Sequence, residues 1–301
     1  MNKFPPVVLL LIATILWGGN FVIGKAVAND LPPFTLAFFR WCVALIIFLP
    51  IIYTSLKREW PQIKKHWAII LALGFTGIAG FNTLIYISLH YTTSINASLM
   101  NMLTPVIIYM LSFLFLHERL NRNQIIGTAI SFIGVITIIS NGSLEALRHF
   151  RFNKGDLIVI IALVLWSVYS LLVKQYAKEL PGHSTFFVSI AVGIVMLLPF
   201  YIYETLTTTM VVHWSATSIF AILYTGILAS IVAFIAWNTG VVKLGTNRAG
   251  IYLNLIPVFA SIFAVIFIGE KIVLSQVIGG LLVLIGVYWT GRKIAEKKQI
   301  K

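Results

Sequence analysis

The chain has 301 residues, of which 59% are hydrophobic and only 10% charged, and its mean hydropathy is +0.96. A soluble chain of this length carries roughly a quarter charged residues and needs a polar shell around its core, so a water-soluble domain is excluded and lipid is the expected solvent. The net charge of +13 does not indicate nucleic acid, because the basic residues stand in short clusters between apolar runs, such as SLKREWPQIKKHW (55–67) and GRKIAEKKQIK (291–301), the pattern that marks the cytoplasmic side of a membrane protein.

A helix needs about 20 apolar residues to cross the hydrocarbon core. Ten spans meet that need, at 5–27, 34–55, 67–89, 94–116, 122–141, 155–178, 183–203, 214–239, 247–268 and 273–292. The longest connections, 56–66, 142–154 and 204–213, leave no room for an inserted soluble domain. Alternation of period two is absent, and open strands cannot sit in lipid, so the expected class is all-α integral membrane. The AVA at 26–28 resembles a signal cleavage site. The first apolar run is longer than a signal core, however, and its pattern returns at 155–178, so the first span is read as part of the mature protein.

Counting lysines and arginines with the N-terminus in the cytoplasm puts sixteen on that side and five outside, with Arg40 inside a span. Both termini are therefore expected to be cytoplasmic, in a multi-pass protein of the plasma membrane. The single cysteine, Cys42, lies in an apolar run, so no disulfide or cysteine metal site can form within the chain. All six histidines fall at or near the ends of apolar runs and read as interfacial. No cofactor or metal is expected. The expected partners are the bilayer and a small-molecule substrate, without nucleic acid, and homo-oligomerisation is left open.

The segments ILWGGNFVIGK (15–25) and VLWSVYSLLVK (164–174) are variants of one phrase. Trp17 and Trp166 differ by 149, as do Lys25 and Lys174, Leu31-Pro32 and Leu180-Pro181, Pro50 and Pro199, and Thr76-Gly77 and Thr225-Gly226. Further on the offset is 152, relating Pro105 to Pro257, Glu118 to Glu270, Gly127 to Gly279 and Gly134 to Gly286. The chain is thus a duplicated five-span unit, with a first repeat over 1–146 and a second, ending in a basic cytoplasmic tail, over 147–301. An odd number of spans makes the second copy enter from the opposite face, which gives a 5+5 inverted repeat. Two such halves can exchange conformations and expose one midplane site to either side in turn.

Ten spans in this arrangement resemble the drug/metabolite transporter superfamily, specifically its EamA type. The resemblance rests on the Trp-containing first span of each half, on TSINASLMNMLTP and LGTNRAGIYLNLIP opening spans four and nine, and on HERL (117–120) and GEKI (269–272), each followed by a glycine-bearing span. It covers about residues 7–291. It implies export or exchange of small metabolites, amino acids and some drugs among them. It also implies that spans five and ten are peripheral and that the substrate path runs among spans one, three, four, six, eight and nine.

Polar residues at helical spacing mark that path. Span four carries Ser94, Ser98, Asn101 and Thr104, and span nine carries Asn247, Gly250, Asn254, Pro257 and Ser261, each set on one stripe. Polar groups are costly in lipid, so the stripes face a wet cavity or bond between helices. Pro105 and Pro257 lack an N–H and free the carbonyls of Asn101 and Leu253, which need a substrate, a water or a neighbouring hydroxyl. Such prolines also suit a gate or a static kink. Trp17 with Asn20, and Trp166 with Tyr169 and Ser170, are candidate cavity walls, with Asn82, Tyr86, Trp237 and Asn238 as further candidates. Gly74, Gly77, Gly80 and Gly226, with Ser230, read as close-packing positions. Arg40 and Lys25 either snorkel to the outer interface or attract an anionic group, and the repeat mate of Arg40 is Ser189.

The expected function is alternating-access transport, as exporter or exchanger, of a small polar or amphipathic metabolite resembling an amino acid. Lipid or nucleotide-sugar transport is the alternative within the superfamily and predicts a lateral opening with more buried cations. An integral membrane enzyme is the alternative from another class. It would need His, Asp or Glu converging at one depth, and the spans contain no such group.

Overall fold

A computed structural model of the chain describes residues 4–91, 100–101, 103–140, 145, 153–208, 210, 212–268 and 274–291. Among them the chain is helical and forms no strand. Ten helical units follow one another. The first two are α1 (Pro6–Ala26) and α2 (Pro33–Lys65). In α3, α-helical Trp67–Leu73 runs through π-helical Gly74–Gly80 into Phe81–Tyr91. Next come α4 (Thr104–Leu116), α5 (Arg122–Ile139), α6 (Lys154–Gln175) and α7 (Gly182–Thr207). In α8, Ala216–Leu223 runs through π-helical Tyr224–Val232 into Ala233–Leu244. In α9, Thr246–Gly250, a 3-10 turn at Ile251–Asn254, Leu255–Phe263 and π-helical Ala264–Ile268 succeed one another. The last unit is α10 (Leu274–Gly291). Seven are long and apolar enough to cross a membrane, and the apolar α4, α5 and α10 are shorter.

Large apolar side chains cover the outside, including Ile46, Ile51, Phe113, Phe115, Val195, Phe267 and Leu284. Such a belt would aggregate in water and is at home against lipid. The helix starts follow the local chemistry. Asn121 with Gln124, and Asn153 with Asp156, form reciprocal capping boxes at the heads of α5 and α6. Pro5 and Pro32 precede prolines at the first helical positions of α1 and α2.

The packing obeys a twofold rule. The contact of α1 with α9 is matched by that of α6 with α4, α1 with α8 by α6 with α3, and α2 with α8 by α7 with α3. The pairs α2–α7, α4–α9 and α5–α10 map onto themselves. The glycines of α5 and α10 give the sense of the axis. A Cβ on Gly127 would strike the Gly286 carbonyl, one on Gly134 would strike the Gly279 carbonyl, and the reverse holds for both pairs. Gly127 thus meets the repeat mate of Gly134, and Gly134 meets the mate of Gly127. As one helix advances the other recedes, so α5 and α10 run antiparallel around a shared dyad. Both pack otherwise mainly on α9, and Thr128 of α5 also bonds the Tyr109 hydroxyl of α4 (2.8 Å).

Irregularities repeat as well. The π segments of α3 and α8 contain the mated Thr76-Gly77 and Thr225-Gly226. Leu103 (φ −73°, ψ −18°) and Leu255 (φ −76°, ψ −18°) make the same departure from helix two residues before Pro105 and Pro257. The missing proline N–H is the shared cause.

Two expectations need correction. The 56–66 connection is mostly helix: α2 continues to Lys65 with Pro50 and Pro61 inside it. Ile63 there is buried in a cluster with Ile70 and Leu180, and Gln62 donates to the Glu179 carbonyl, so tertiary contacts hold a polar stretch helical. The second concerns span nine, whose polar residues do not form one stripe. A 3-10 turn advances about 120° per residue instead of about 100°, and it rotates Asn254 toward α5.

Candidate functional site

The centre of the bundle is aromatic. Trp17 and Trp166 meet edge to face with centroids 5.0 Å apart, and as repeat mates in contact they lie on the dyad. Trp237 stands 5.6 Å from each, and Phe234 packs against both. Polar partners fix these rings. Trp17 Nε1 donates to the Ala229 carbonyl (3.0 Å), which the π segment of α8 frees from the helical ladder, and Trp237 Nε1 donates to Ser170 Oγ (3.2 Å). Trp166 Nε1 is buried without a partner.

Two spaces flank this layer. The larger, about 340 Å³, has exposed Gly182, His183 and Lys243 at its mouth and Leu73, Tyr169, Phe186 and Ser189 deeper in. Lys243 also reaches the Phe4 carbonyl, so the mouth opens on the face that carries the described N-terminus. The volume lies in the range of small-molecule sites. Tyr169 is fixed by Asn238, with hydroxyl–amide distances of 2.7 and 3.1 Å, and stacks on Trp166 at 5.3 Å, closing the inner end. Beyond that stack lies a gap of only about 30 Å³, lined by Trp17, Asn20, Phe81, Asn82, Tyr86, Asn101 and Trp166 among others. It has room for water only.

Among the described residues, the region related to the large cavity by the dyad is occupied by Arg40 and its partners. The cavity-lining Tyr169, Val173, Phe186 and Ser189 have as mates Asn20, Gly24, Ala37 and Arg40, at an offset of 149. All four mates are buried. Arg40 fills the space. Its Nε donates to Ser230 Oγ (2.9 Å) and its Nη1 to Asn82 Oδ1 (3.1 Å) and the Tyr86 hydroxyl, while Trp41 lies 5.1 Å from the guanidinium. Asn82 is oriented by its own donation to the Gly77 carbonyl (3.3 Å), inside the π segment of α3, and Tyr86 passes its proton toward Asn20 Oδ1 (3.4 Å). Arg40 is 0% exposed, so it does not snorkel, whereas Lys25 at the end of α1 is exposed. An arginine at membrane depth costs about 2.5–3.5 kcal/mol, which three neutral acceptors and an aromatic face offset in part.

The remaining sequence candidates divide. Asn101 lines the gap, and its proline-freed carbonyl accepts from Thr104 Oγ1 (2.6 Å), so a neighbouring hydroxyl satisfies it. Asn254 donates to Ser131 Oγ of α5 (2.9 Å) and borders neither space. Pro105 and Pro257 are buried at the breaks of α4 and α9, and Ser170 holds Trp237. Ser94 and Ser98 lie outside the described residues. Sequence reasoning missed the cavity residues His183, Thr185 and Tyr176, Ser230 as an acceptor, and Glu204. That carboxylate, at the end of α7, accepts from the N–H groups of Phe34 and Thr35 (3.1 and 2.7 Å) and the Thr35 hydroxyl (2.9 Å), capping α2 across the repeat. On the opposite face Ser184, the mate of Thr35, donates to Glu59 (2.6 Å). The offset of 149 applied to Thr35 would have pointed to this pair of clasps.

The twofold bundle of apolar helices, with a lipid-suited belt outside and a cavity opening on one face, is built as a multi-pass membrane protein. The EamA-like transporter family model matches the chain twice, over residues 4–140 and 153–292, and the chain belongs to that family. It is 28% identical over 284 residues to YyaM, named an uncharacterized transporter, of Bacillus subtilis (strain 168), across 93% of this chain and 91% of that one. It is 24% identical to a probable amino-acid metabolite efflux pump of Salmonella typhimurium (strain LT2), across 93% of this chain and 92% of that protein. A solved crystal structure shares the fold with a TM-score of 0.77 at 19% identity, over 95% of this chain and 96% of its own.

Proposed function

We propose that the chain carries a small zwitterionic or amphipathic metabolite, of amino-acid size, across the plasma membrane by alternating access, as exporter or exchanger. One observation carries this reading: Ser189 lines the open cavity, while its repeat mate Arg40 is fully buried and, bonded to Ser230, Asn82 and Tyr86, fills the corresponding place in the other half. Exchange of the two halves' conformations would close the first and open the second without any new fold. The described conformer is then the one open to the N-terminal face, which the lysine and arginine bias assigns to the cytoplasm. The matched π segments and proline breaks are the positions where a few residues can absorb the change.

The lining suits an amphipathic solute. Phe186, Leu73 and Ile235 supply apolar wall, while Ser189, Thr185, Asn238 and the Tyr169 hydroxyl supply polar partners. The Thr185 hydroxyl is buried and unpartnered in this conformer. The name of the Salmonella relative supports an amino-acid-like cargo. Among the described residues Glu59 lies in the polar stretch that ends α2 and the other carboxylates stand at helix ends or in loops, which favours facilitated movement or exchange over a carboxylate proton relay. The test is flux into sealed vesicles of purified protein, with each of the common amino acids as radiolabelled probe. Saturable movement of unchanged solute is expected. Chemical conversion, or no saturable flux, would reject the reading.

A further inference from the structure

We propose that Arg40 is the anion-binding residue of the transported solute: it takes the solute's carboxylate when the closed half opens. This rests on the transport reading above and narrows its substrate to organic monocarboxylates of amino-acid size. Arg40 is fully buried, and no carboxylate lies within 4.0 Å of it among the described residues. Its three partners, Ser230, Asn82 and Tyr86, are all neutral. Glu204, which caps the head of α2 from the end of α7, is occupied by Phe34 and Thr35. Among the described residues no counter-charge faces the guanidinium, and its Nη2 is buried with no acceptor among them. A structural arginine in a bundle interior would be expected to have found a counter-ion, because breaking or omitting the pair leaves an expensive buried charge. A charge held without one, on a frame of oriented dipoles, is prepared for an anion that comes and goes.

Placement agrees. Asn20, Asn82 and Tyr86, the side chains around Arg40, line the small gap beside Trp17 and Trp166. The mate of Arg40, Ser189, lines the open cavity. When the halves exchange conformations, Arg40 takes the position in an open cavity that Ser189 holds here. Nη2, with Nη1 beside it, then offers a fork suited to two carboxylate oxygens. The open half has no such cation at the mated depth, so the solute's anionic end is held from one side only. The two faces then bind it with different strength, so half-saturation differs between the two sides.

The experiment uses the full chain in proteoliposomes. Wild type is screened for flux of each common amino acid, and for every one moved the free acid and its primary amide are compared as competitors. The acid is expected to compete at least tenfold better than the amide. Arg40→Gln is expected to erase that preference and lower acid flux at least tenfold. Arg40→Lys, which keeps the charge and loses the fork, should keep the preference with weaker half-saturation. Asn82→Asp is a second line that does not remove the arginine. It places a carboxylate against Nη1 and should weaken half-saturation for the acid at least tenfold while the protein stays monodisperse. If wild type moves amino acids but competes equally with their amides, or if Arg40→Gln and Asn82→Asp leave acid transport unchanged, the inference is overturned and the transporter reading stands. If wild type moves no amino acid, both fall together.

Discussion

Trp166 sits where the two halves touch, and it is the side chain with the least local justification. Its indole N–H is buried and unpartnered between the Tyr169 stack and the dyad contact with Trp17. A buried donor left unmade costs about 1–3 kcal/mol. Trp166→Phe removes that donor together with some buried apolar area, and the two effects oppose each other. Thermal unfolding in detergent is expected to show a stability change below about 1 kcal/mol, while solute flux falls severalfold if the N–H meets the passing solute. Unchanged flux at unchanged stability would make Trp166 a packing residue only. The tryptophan and its mate were legible in the sequence as a repeated phrase. The meaning of Asn254 was not: its amide belongs to Ser131, because the 3-10 turn ahead of Pro257 rotates it off the expected stripe.

The elements are held by two kinds of contact. Between α5 and α10 the backbones approach through Gly127, Gly134, Gly279 and Gly286, where an added Cβ would stand 2.5 Å from the Gly134 carbonyl if placed on Gly279. Without a hydrophobic drive between helices in lipid, such close packing is what associates them. Gly279→Ala should push the pair apart and destabilise the fold by about 1–3 kcal/mol, read as a lowered unfolding temperature, with acid-over-amide preference unchanged because α5 and α10 lie far from the cavity lining. Between α2 and α7 the contact is aromatic along its length, with Phe38 stacked on Tyr201 and Phe48 beside Phe186 and Phe187, and a polar clasp closes each end: Glu204 caps α2 on one face and Glu59 holds Ser184 on the other. Glu204→Gln weakens a charge-assisted cap, with an expected loss of about 1–2 kcal/mol. On the proposed alternating-access cycle the face of Glu204 is the closed one, so the variant should also raise thiol reactivity at positions 20 and 24. A stability loss with no change in reactivity would make the clasp structural only.

At the scale of the whole molecule the bundle has a side. With Cys42 replaced by serine, a single cysteine at position 60 or 239 should react with an impermeant maleimide only from the cytoplasm, and one at position 210 only from outside. The opposite pattern would invert the orientation drawn from the lysine and arginine count. Ten spans, the duplication and the inversion that an odd repeat imposes are written along the chain, because apolar length and repeat offset are local properties that any window of sequence displays. Mated irregularities follow the same logic, since a proline breaks its own helix wherever that helix packs. Only the tertiary structure decided that Arg40 is buried without a carboxylate beside it among the described residues, and that Glu204 clasps α2. Those features join residues 190 and 169 positions apart, Arg40 with Ser230 and Thr35 with Glu204. Two similar halves offer two nearly equivalent packings, and only contacts made across them choose between the pair.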